Sequence, residues 1–197
     1  MVCYNTVLFK GQPEAQGKIQ EEIQMKVIFF DIDGVLNSNK FICNNPGETV
    51  DRKNVKNLAD VVKATDAKLV AIFNWRKEVM KDPVCDERAQ ELILKLKEEG
   101  LVISDVTPPQ EHISGKYEDY GRCFEVKDYV DQHDVDRLVI LDDMDSDWDR
   151  VGLADYWINT ENTVKGFSES DAREVINILN GCLLYTSPSP RDYAASR

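Results

Sequence analysis

The segment KVIFFDIDGVLNS, Lys26–Ser38, joins a short apolar run directly to two carboxylates and a glycine. The continuous apolar run Val27–Phe30 predicts a strand that is buried on both faces, as in a parallel sheet. Asp31 and Asp33 follow it and would lie on the same side if the chain stayed extended for one more step. Gly34 allows a sharp turn and a close approach of the backbone to a ligand. The segment therefore predicts a polar site at the carboxyl end of a buried strand.

Strand patterns alternate with helix patterns along the rest of the chain. Apolar runs predict further strands at residues 68–73, 101–103, 138–141 and 156–158. Helical spacing of apolar residues predicts helices at residues 55–62, 89–100, 124–131 and 168–179, the last opening with a capping box of Ser168 and Asp171. The alternation predicts an α/β fold with a mostly parallel sheet, whose ligand site lies outside the carboxyl ends of the strands. Asp31, Asn74 and Asp142 all follow or close such strands.

Length and composition narrow the class of protein. The chain of 197 residues fits one domain with tails, and its net charge of −12 argues against non-specific binding to nucleic acid. Its five cysteines have neither the spacing of a zinc site nor that of a disulfide framework. No apolar run has the length of a membrane span or a signal peptide, so we expect a cytoplasmic protein without a membrane partner. The oligomeric state stays open.

Both ends differ in character from the part between them. Residues 182–192, CLLYTSPSPRD, resemble a translated sequencing adapter, so we expect residues 182–197 to be an artefactual tail. A natural Ser/Pro-rich tail is the alternative. Met25 stands directly before the first predicted strand, so we expect residues 1–24 to be a leader or a disordered extension. The expected domain then spans residues 25–181.

Two carboxylates at one strand end can divide the work of hydrolysing a phosphate ester. One can attack phosphorus and form an aspartyl-phosphate, and the other can protonate the leaving oxygen and then activate water. A dianionic phosphate would be repelled by these carboxylates unless a cation lay between them. Mg²⁺ suits such a site because it binds a few carboxylate oxygens together with substrate phosphate and water. Asp142 and Asp143, at the end of a later strand, could complete a metal site.

The motif DIDGVLN, residues 31–37, resembles motif I of the haloacid dehalogenase (HAD) superfamily, whose signature is DxDGTL or DxDGVL. The order of Trp75–Arg76, then Arg122 before a helix, then an acidic pair resembles the HAD domain of Swiss Army knife RNA repair proteins. The resemblance covers about residues 26–181. It implies a HAD-like Rossmannoid three-layer sandwich without a large cap domain. It also implies an Mg²⁺-dependent phosphomonoesterase whose substrate class is nucleotides or nucleic-acid terminal phosphates.

Matched residue by residue, the resemblance implies a role for each side chain of the expected site. Asp31 is the nucleophile, and Asp33 is the general acid and base, which also binds metal through its main-chain carbonyl. Arg122 stabilises the charge of the phosphoryl group, and Lys116 is a second candidate for that role. Either basic residue could instead be an ordinary surface residue. The implied Mg²⁺ ligands are Asp31, Asp33, Asp142 and Asp143.

The second motif departs from the family pattern. The family places Ser or Thr before Trp-Arg to donate a hydrogen bond to the phosphoryl group, whereas this chain has Phe73 and Asn74. Asn74 is the polar side chain available here, and loss of one such donor can cost a factor of about 10²–10³ in rate. The expected substrate-binding residues are Gly34, Asn74, Trp75 and Arg76, with packing and positioning as the alternative role of the last two. A catalytically impaired Mg²⁺ or phosphate-binding module is therefore the alternative function.

Overall fold

The computed structural model describes residues 25–108 and 121–181, and the strands in that part of the chain form one five-stranded sheet. The strands are β1 (Met25–Phe30), β2 (Lys68–Ala71), β3 (Ile103–Val106), β4 (Val135–Asp142) and β5 (Trp157–Asn159). Their order is β3-β2-β1-β4-β5, and each neighbouring pair is parallel. The α/β fold predicted from the alternation of strands and helices is confirmed. The two predicted end segments, residues 1–24 and 182–197, lie outside the described residues.

Helices cover both faces of this sheet. The α-helices of the described residues are α1 (Asn39–Asn44), α2 (Arg52–Thr65), α3 (Glu87–Glu98), α4 (Arg122–Gln132) and α5 (Glu169–Leu179), and none of the residues of α1 is buried. The helices α2, α3 and α5 share one apolar core with Phe30 and Leu141, while α4 shares the other with Phe29 and Ile140. Successive strand residues point to opposite faces, so each buried strand supplies both cores, and the result is a three-layer sandwich.

The third strand begins two residues later than the sequence pattern predicts, at Ile103 instead of Leu101. Gly100, which has φ +77°, follows the end of α3. The backbone N–H of Leu101 still donates to the carbonyl of Leu96 at 2.9 Å. Leu101 therefore belongs to the turn after the helix, although it is buried like a strand residue. The prediction of a strand at residues 101–103 was wrong in position because an apolar run does not distinguish a buried turn from a buried strand.

The connections before β3 consist of helices and the loops that join them. Between β1 and β2 the chain forms α1 and α2, and between β2 and β3 it forms a 3₁₀-helix at Arg76–Met80 and then α3. The predicted capping box opens α5: Asp171 N–H donates to Ser168 Oγ, and Ser168 N–H donates to Asp171 Oδ2. Within the described ranges, no helix is both long enough and apolar enough to cross a membrane.

The connectivity of the sheet places two acidic residues next to each other. The chain leaves β1 toward β2 and β3 and later returns to β4 on the other side of β1, so β1 and β4 flank a topological switch point. Phe30 pairs with Leu141, and the next residues in the two strands are Asp31 and Asp142. Ligands of open α/β sheets bind in the crevice at this point. The candidate site is therefore the carboxyl edge between β1 and β4.

Candidate active site

Arg122 joins the two carboxylates at the switch point. Its Nη1 donates to Asp31 Oδ2 at 2.8 Å and to Asp142 Oδ2 at 2.7 Å. Asp142 is fully buried, Asp31 is 8% exposed, and Arg122 is the first residue of α4. The first residue of α4 thus places a cation at the carboxyl ends of β1 and β4. The structure brings together three residues that the sequence reasoning had placed in the site.

Burial sets the charge state of this cluster. Desolvation raises the pKa of Asp31 from its ordinary value of 3.8 to about 6, although Arg122 acts in the opposite direction. Desolvation also raises the pKa of Asp142, again against the influence of Arg122. For Arg122, burial alone would lower the pKa, but the two carboxylates outweigh it and raise it. Two buried acids thus share one partly buried cation, and further positive charge would favour the ionised forms of both acids.

Asp143 completes a group of oxygen ligands. Asp31, Asp142 and Asp143 each offer one carboxylate oxygen, and these atoms lie within 4.8 Å of one another. Asn162 Nδ2 donates to Asp143 Oδ2 at 2.6 Å, and the backbone N–H of Met144 donates to Asp142 Oδ1 at 3.0 Å. A hard divalent cation prefers such carboxylate oxygens, so the donor set fits Mg²⁺. The Asp33 side chain lies outside this group, and its implied contribution is a main-chain carbonyl.

Asp33 lies in a turn and not in extended chain. The carbonyl of Ile32 accepts from the backbone N–H of Val35 at 3.2 Å and of Leu36 at 2.9 Å, so the strand geometry ends directly after Asp31. The condition of an extended chain, from which the sequence argument placed Asp31 and Asp33 on one side, is not met. Asp31 is buried and Asp33 is exposed. The two carboxylates therefore have different environments, which suits two different roles.

Gly34 makes room for an acidic side chain. It has φ +72°, a conformation that residues with a Cβ rarely adopt. A Cβ at this position would overlap the side chain of Asp143 and lie 2.6 Å from its Oδ2. The carbonyl of Gly34 accepts from Thr160 Oγ1 at 2.7 Å. The sequence predicted that a ligand approaches the backbone closely at Gly34. Among the described residues, it is the side chain of Asp143 that does so.

The two residues of the altered second motif lie in different surroundings. Phe73 is 2% exposed and packs in the core, with ring centroids 6.0 Å from Phe30 and 4.3 Å from Trp75. Asn74 follows as an exposed residue, and its side chain makes no hydrogen bond to another described residue. Asn74 is thus free to donate to a ligand at the end of β2, whereas Phe73 is an ordinary core residue.

The side chain of Arg76 contacts other residues of the protein. Its side chain is almost completely buried, with Nε donating to the carbonyl of Thr107 at 2.8 Å and Nη1 to that of Phe73 at 3.1 Å. Its Nη2 lies 2.7 Å from Glu125 Oε2 on α4. Arg76 therefore links the ends of β2 and β3 to the helix that carries Arg122, which supports a positioning role over substrate binding.

Trp75 is partly buried beside Phe73, and the guanidinium of Arg88 lies 4.9 Å from the centre of its ring. These contacts are those of a packing residue. Lys116, the second basic candidate, lies outside the described residues.

Asn37 and Asn162 were missed by the sequence reasoning, although each holds a site carboxylate. Asn37 stands inside the quoted motif, and its place four residues after Asp33 was the available signal. Asn162 is 19 residues from Asp143 in a loop, and no local pattern connects the two.

The chain is similar to a known family over most of its length. A family model described as the HAD domain in Swiss Army Knife RNA repair proteins matches residues 27–172. The matched range contains Asp31, Arg122 and Asp142, and the resemblance indicated by motif I is confirmed. No curated protein and no solved structure matches the chain.

Proposed function

Because the chain belongs to the family of HAD domains in Swiss Army Knife RNA repair proteins, we propose that it is an Mg²⁺-dependent phosphomonoesterase that forms an aspartyl-phosphate. Family membership supports a HAD-type phosphohydrolase in general. The observation that carries the finer proposal is the contact of Arg122 with Asp31 and Asp142 at the switch point. A nucleophile, a fixed cation and an oxygen ligand set meet there, as phosphoryl transfer requires.

In the proposed reaction, a carboxylate oxygen of Asp31 attacks phosphorus, and the bond from phosphorus to the leaving oxygen breaks. Asp33, in its acid form, gives its proton to that oxygen. Water then attacks phosphorus and transfers a proton to Asp33, while the bond between phosphorus and Asp31 breaks and inorganic phosphate leaves. Both carboxyl groups return to their starting states.

Arg122 stabilises the negative charge of the transferring phosphoryl group in this proposal. Its Nη1 is held by Asp31 and Asp142, while its Nε and Nη2 have no hydrogen bond to another described residue. These donors can face the phosphate without reorganisation, which is how a preorganised cation lowers a barrier. The Mg²⁺ ion that we expect on Asp31, Asp142 and Asp143 would supply positive charge to the phosphate oxygens. Asn74 is the proposed third donor.

The proposed substrates are nucleotides and nucleic-acid terminal phosphates. The family description supports this class, since its members are domains of RNA repair proteins. The net charge of −12 disfavours extended contact with a polynucleotide backbone, so recognition of an end is the better fit.

The test is hydrolysis of p-nitrophenyl phosphate, a nucleoside monophosphate and an oligonucleotide with a terminal phosphate, with Mg²⁺ or with EDTA. We expect Mg²⁺-dependent release of phosphate by the wild type and none by Asp31→Asn. Asp60→Asn, which removes an exposed carboxylate on α2, is the matched control and should keep full activity. Borohydride trapping during turnover should reduce the acyl phosphate at Asp31. Activity that survives in Asp31→Asn would contradict the proposal.

A non-catalytic Mg²⁺ or phosphate-binding module is the second candidate, and the Phe73–Asn74 pair favours it. Since Phe73 is a core residue, replacing it with serine would disturb the fold, and Asn74→Ser is the better variant. Activity that appears only in Asn74→Ser would identify the wild type as an impaired enzyme. Inactivity of both, with retained phosphate binding, would support the binding module.

A further inference from the structure

The buried side chain of Asn37 connects Asp33, which is the proposed general acid and base, to the main chain of the turn that carries it. Its Nδ2 donates to Asp33 Oδ1 at 2.9 Å. Among the described residues, this is the one hydrogen bond made by the Asp33 carboxylate. An exposed carboxylate in a turn samples several rotamers unless a neighbour holds it. Asn37 is the neighbour that can hold it.

Asn37 is itself fixed at both ends of its amide. It is 3% exposed, and its Oδ1 accepts from the backbone N–H of Gly34 at 3.1 Å. The second hydrogen of Nδ2 points to the carbonyl of Thr49, also at 2.9 Å. The N–H of Gly34 can only donate and the carbonyl of Thr49 can only accept, so these two partners determine which amide atom is oxygen and which is nitrogen. The amide thus cannot rotate away from Asp33 without losing two bonds to the main chain.

From this network we infer that Asn37 is a positioning residue for the acid and base Asp33, an inference that rests on the proposed function. The bond to Oδ1 occupies that oxygen as an acceptor, so the acid form of Asp33 carries its proton on Oδ2. Asn37 therefore decides which oxygen gives the proton to the leaving group and which later takes a proton from water. It does not contact the reacting atoms in this role.

A positioning role makes a prediction that a structural role does not. The leaving group of a nucleoside monophosphate is the nucleoside alkoxide, which is strongly basic and needs the proton from Asp33. The leaving group of dinitrophenyl phosphate is a weakly basic phenolate, which does not. Misplacing a catalytic group can cost about 100-fold, and general acid catalysis contributes about 10²–10⁴-fold. Loss of Asn37 should therefore slow the first substrate far more than the second.

The experiment measures single-turnover rates of leaving-group release, as nucleoside or as dinitrophenolate, by the full chain in the presence of Mg²⁺, because the later attack of water needs Asp33 with either substrate. For Asn37→Ala we expect a fall of about 10- to 100-fold with the nucleoside monophosphate and of less than about threefold with dinitrophenyl phosphate. Asn54→Ala is the matched control, since Asn54 is also buried and donates to the carbonyl of Val35 in the same turn without contacting Asp33. Its loss should affect both substrates by the same factor.

Asn37→Asp provides a second variant of nearly unchanged size. It keeps an acceptor for the N–H of Gly34 but faces Asp33 and Thr49 with an oxygen, so the same selective loss is expected. An equal loss on both substrates, no loss on the nucleoside monophosphate, or unfolding of both variants would overturn the role of Asn37 while the active wild type still supports the proposed function. A wild type that is inactive on both substrates would overturn the proposed function and this inference with it.

Discussion

Replacing Asp31 with asparagine should stabilise the metal-free protein even though it removes the proposed nucleophile. Burial raises the pKa of Asp31 from 3.8 to about 6, so the ionised carboxylate costs free energy in the folded state. The folded protein therefore binds the Asp31 proton more tightly than the unfolded chain. The contribution to stability is fully present below the ordinary pKa of 3.8 and is lost as the pH rises to about 6.

The magnitude follows from the same pKa. A rise of about two pKa units corresponds to about 3 kcal/mol, because each unit is worth about 1.4 kcal/mol. Asparagine removes this cost, and its weaker bond to Arg122 needs no separate correction, because the pKa of about 6 already includes the lowering by Arg122. The net gain in the free energy of unfolding at neutral pH should therefore be about 3 kcal/mol, and it should vanish near the ordinary pKa of the carboxyl group.

Urea denaturation in EDTA measures the free energy of unfolding of both proteins, first at neutral pH and then at a pH near the ordinary pKa of the carboxyl group. The control is Asp60→Asn, which removes a carboxylate from the exposed face of α2 and should stay within about 0.5 kcal/mol of the wild type. Mg²⁺ should narrow the difference by stabilising the wild type, since a ligand of the folded state raises the free energy of unfolding. An Asp31→Asn variant that is less stable than the wild type at neutral pH in EDTA would refute the reasoning.

Three other substitutions test the surroundings of the site. Phe73→Ser should lower the free energy of unfolding by about 3–5 kcal/mol in urea denaturation, because it empties a buried aromatic position, whereas Asn74→Ser should change it by less than about 0.5 kcal/mol. Gly34→Ala should weaken Mg²⁺ binding, measured by the stabilisation of the protein in a Mg²⁺ titration, because the new Cβ displaces the side chain of Asp143. The control is Gly47→Ala, at φ +94° and with no atom near the new Cβ, which should leave Mg²⁺ binding unchanged. Glu125→Ala should lower the free energy of unfolding by about 3–5 kcal/mol in urea denaturation, because it leaves the buried Arg76 without its carboxylate, and it should also slow phosphate release. The control is Glu78→Ala, which breaks an exposed pair with Lys81 and should lower the free energy of unfolding by less than about 1 kcal/mol.

Local patterns were enough to predict most of the fold. The apolar runs of β1 and β4 are buried on both faces, so their sequences alone indicate parallel strands. The capping box of Ser168 and Asp171 satisfies backbone N–H groups in the first turn of α5 with residues three positions apart, so its signal is local in the sequence. Leu101 was misassigned because burial, which the pattern reports, is shared by strands and tight turns.

Without the family resemblance, the sequence predicted only those residues of the candidate site that lie at the ends of strands. Asp31 and Asp142 were found because they follow or close buried strands, and the sheet brings such ends together. The contact of Arg122 with both depends on how α4 packs on the sheet, which no local pattern specifies, and only the family resemblance indicated it. Asn162, which fixes Asp143 from a distant loop, left no signal of either kind.

The second motif shows how packing changes the meaning of a substitution. Read along the sequence, Phe73 looks like the loss of a hydrogen-bond donor from the site. In the fold, its ring fills the core between Phe30 and Trp75, and the residue that meets solvent at the strand end is Asn74. The chain thus retains one polar side chain where β2 ends, and Arg76 still links this end to α4 through Glu125. The proposed function therefore relies on the amide of Asn74 to donate the hydrogen bond that a hydroxyl donates in the family pattern, and not on a serine at position 73.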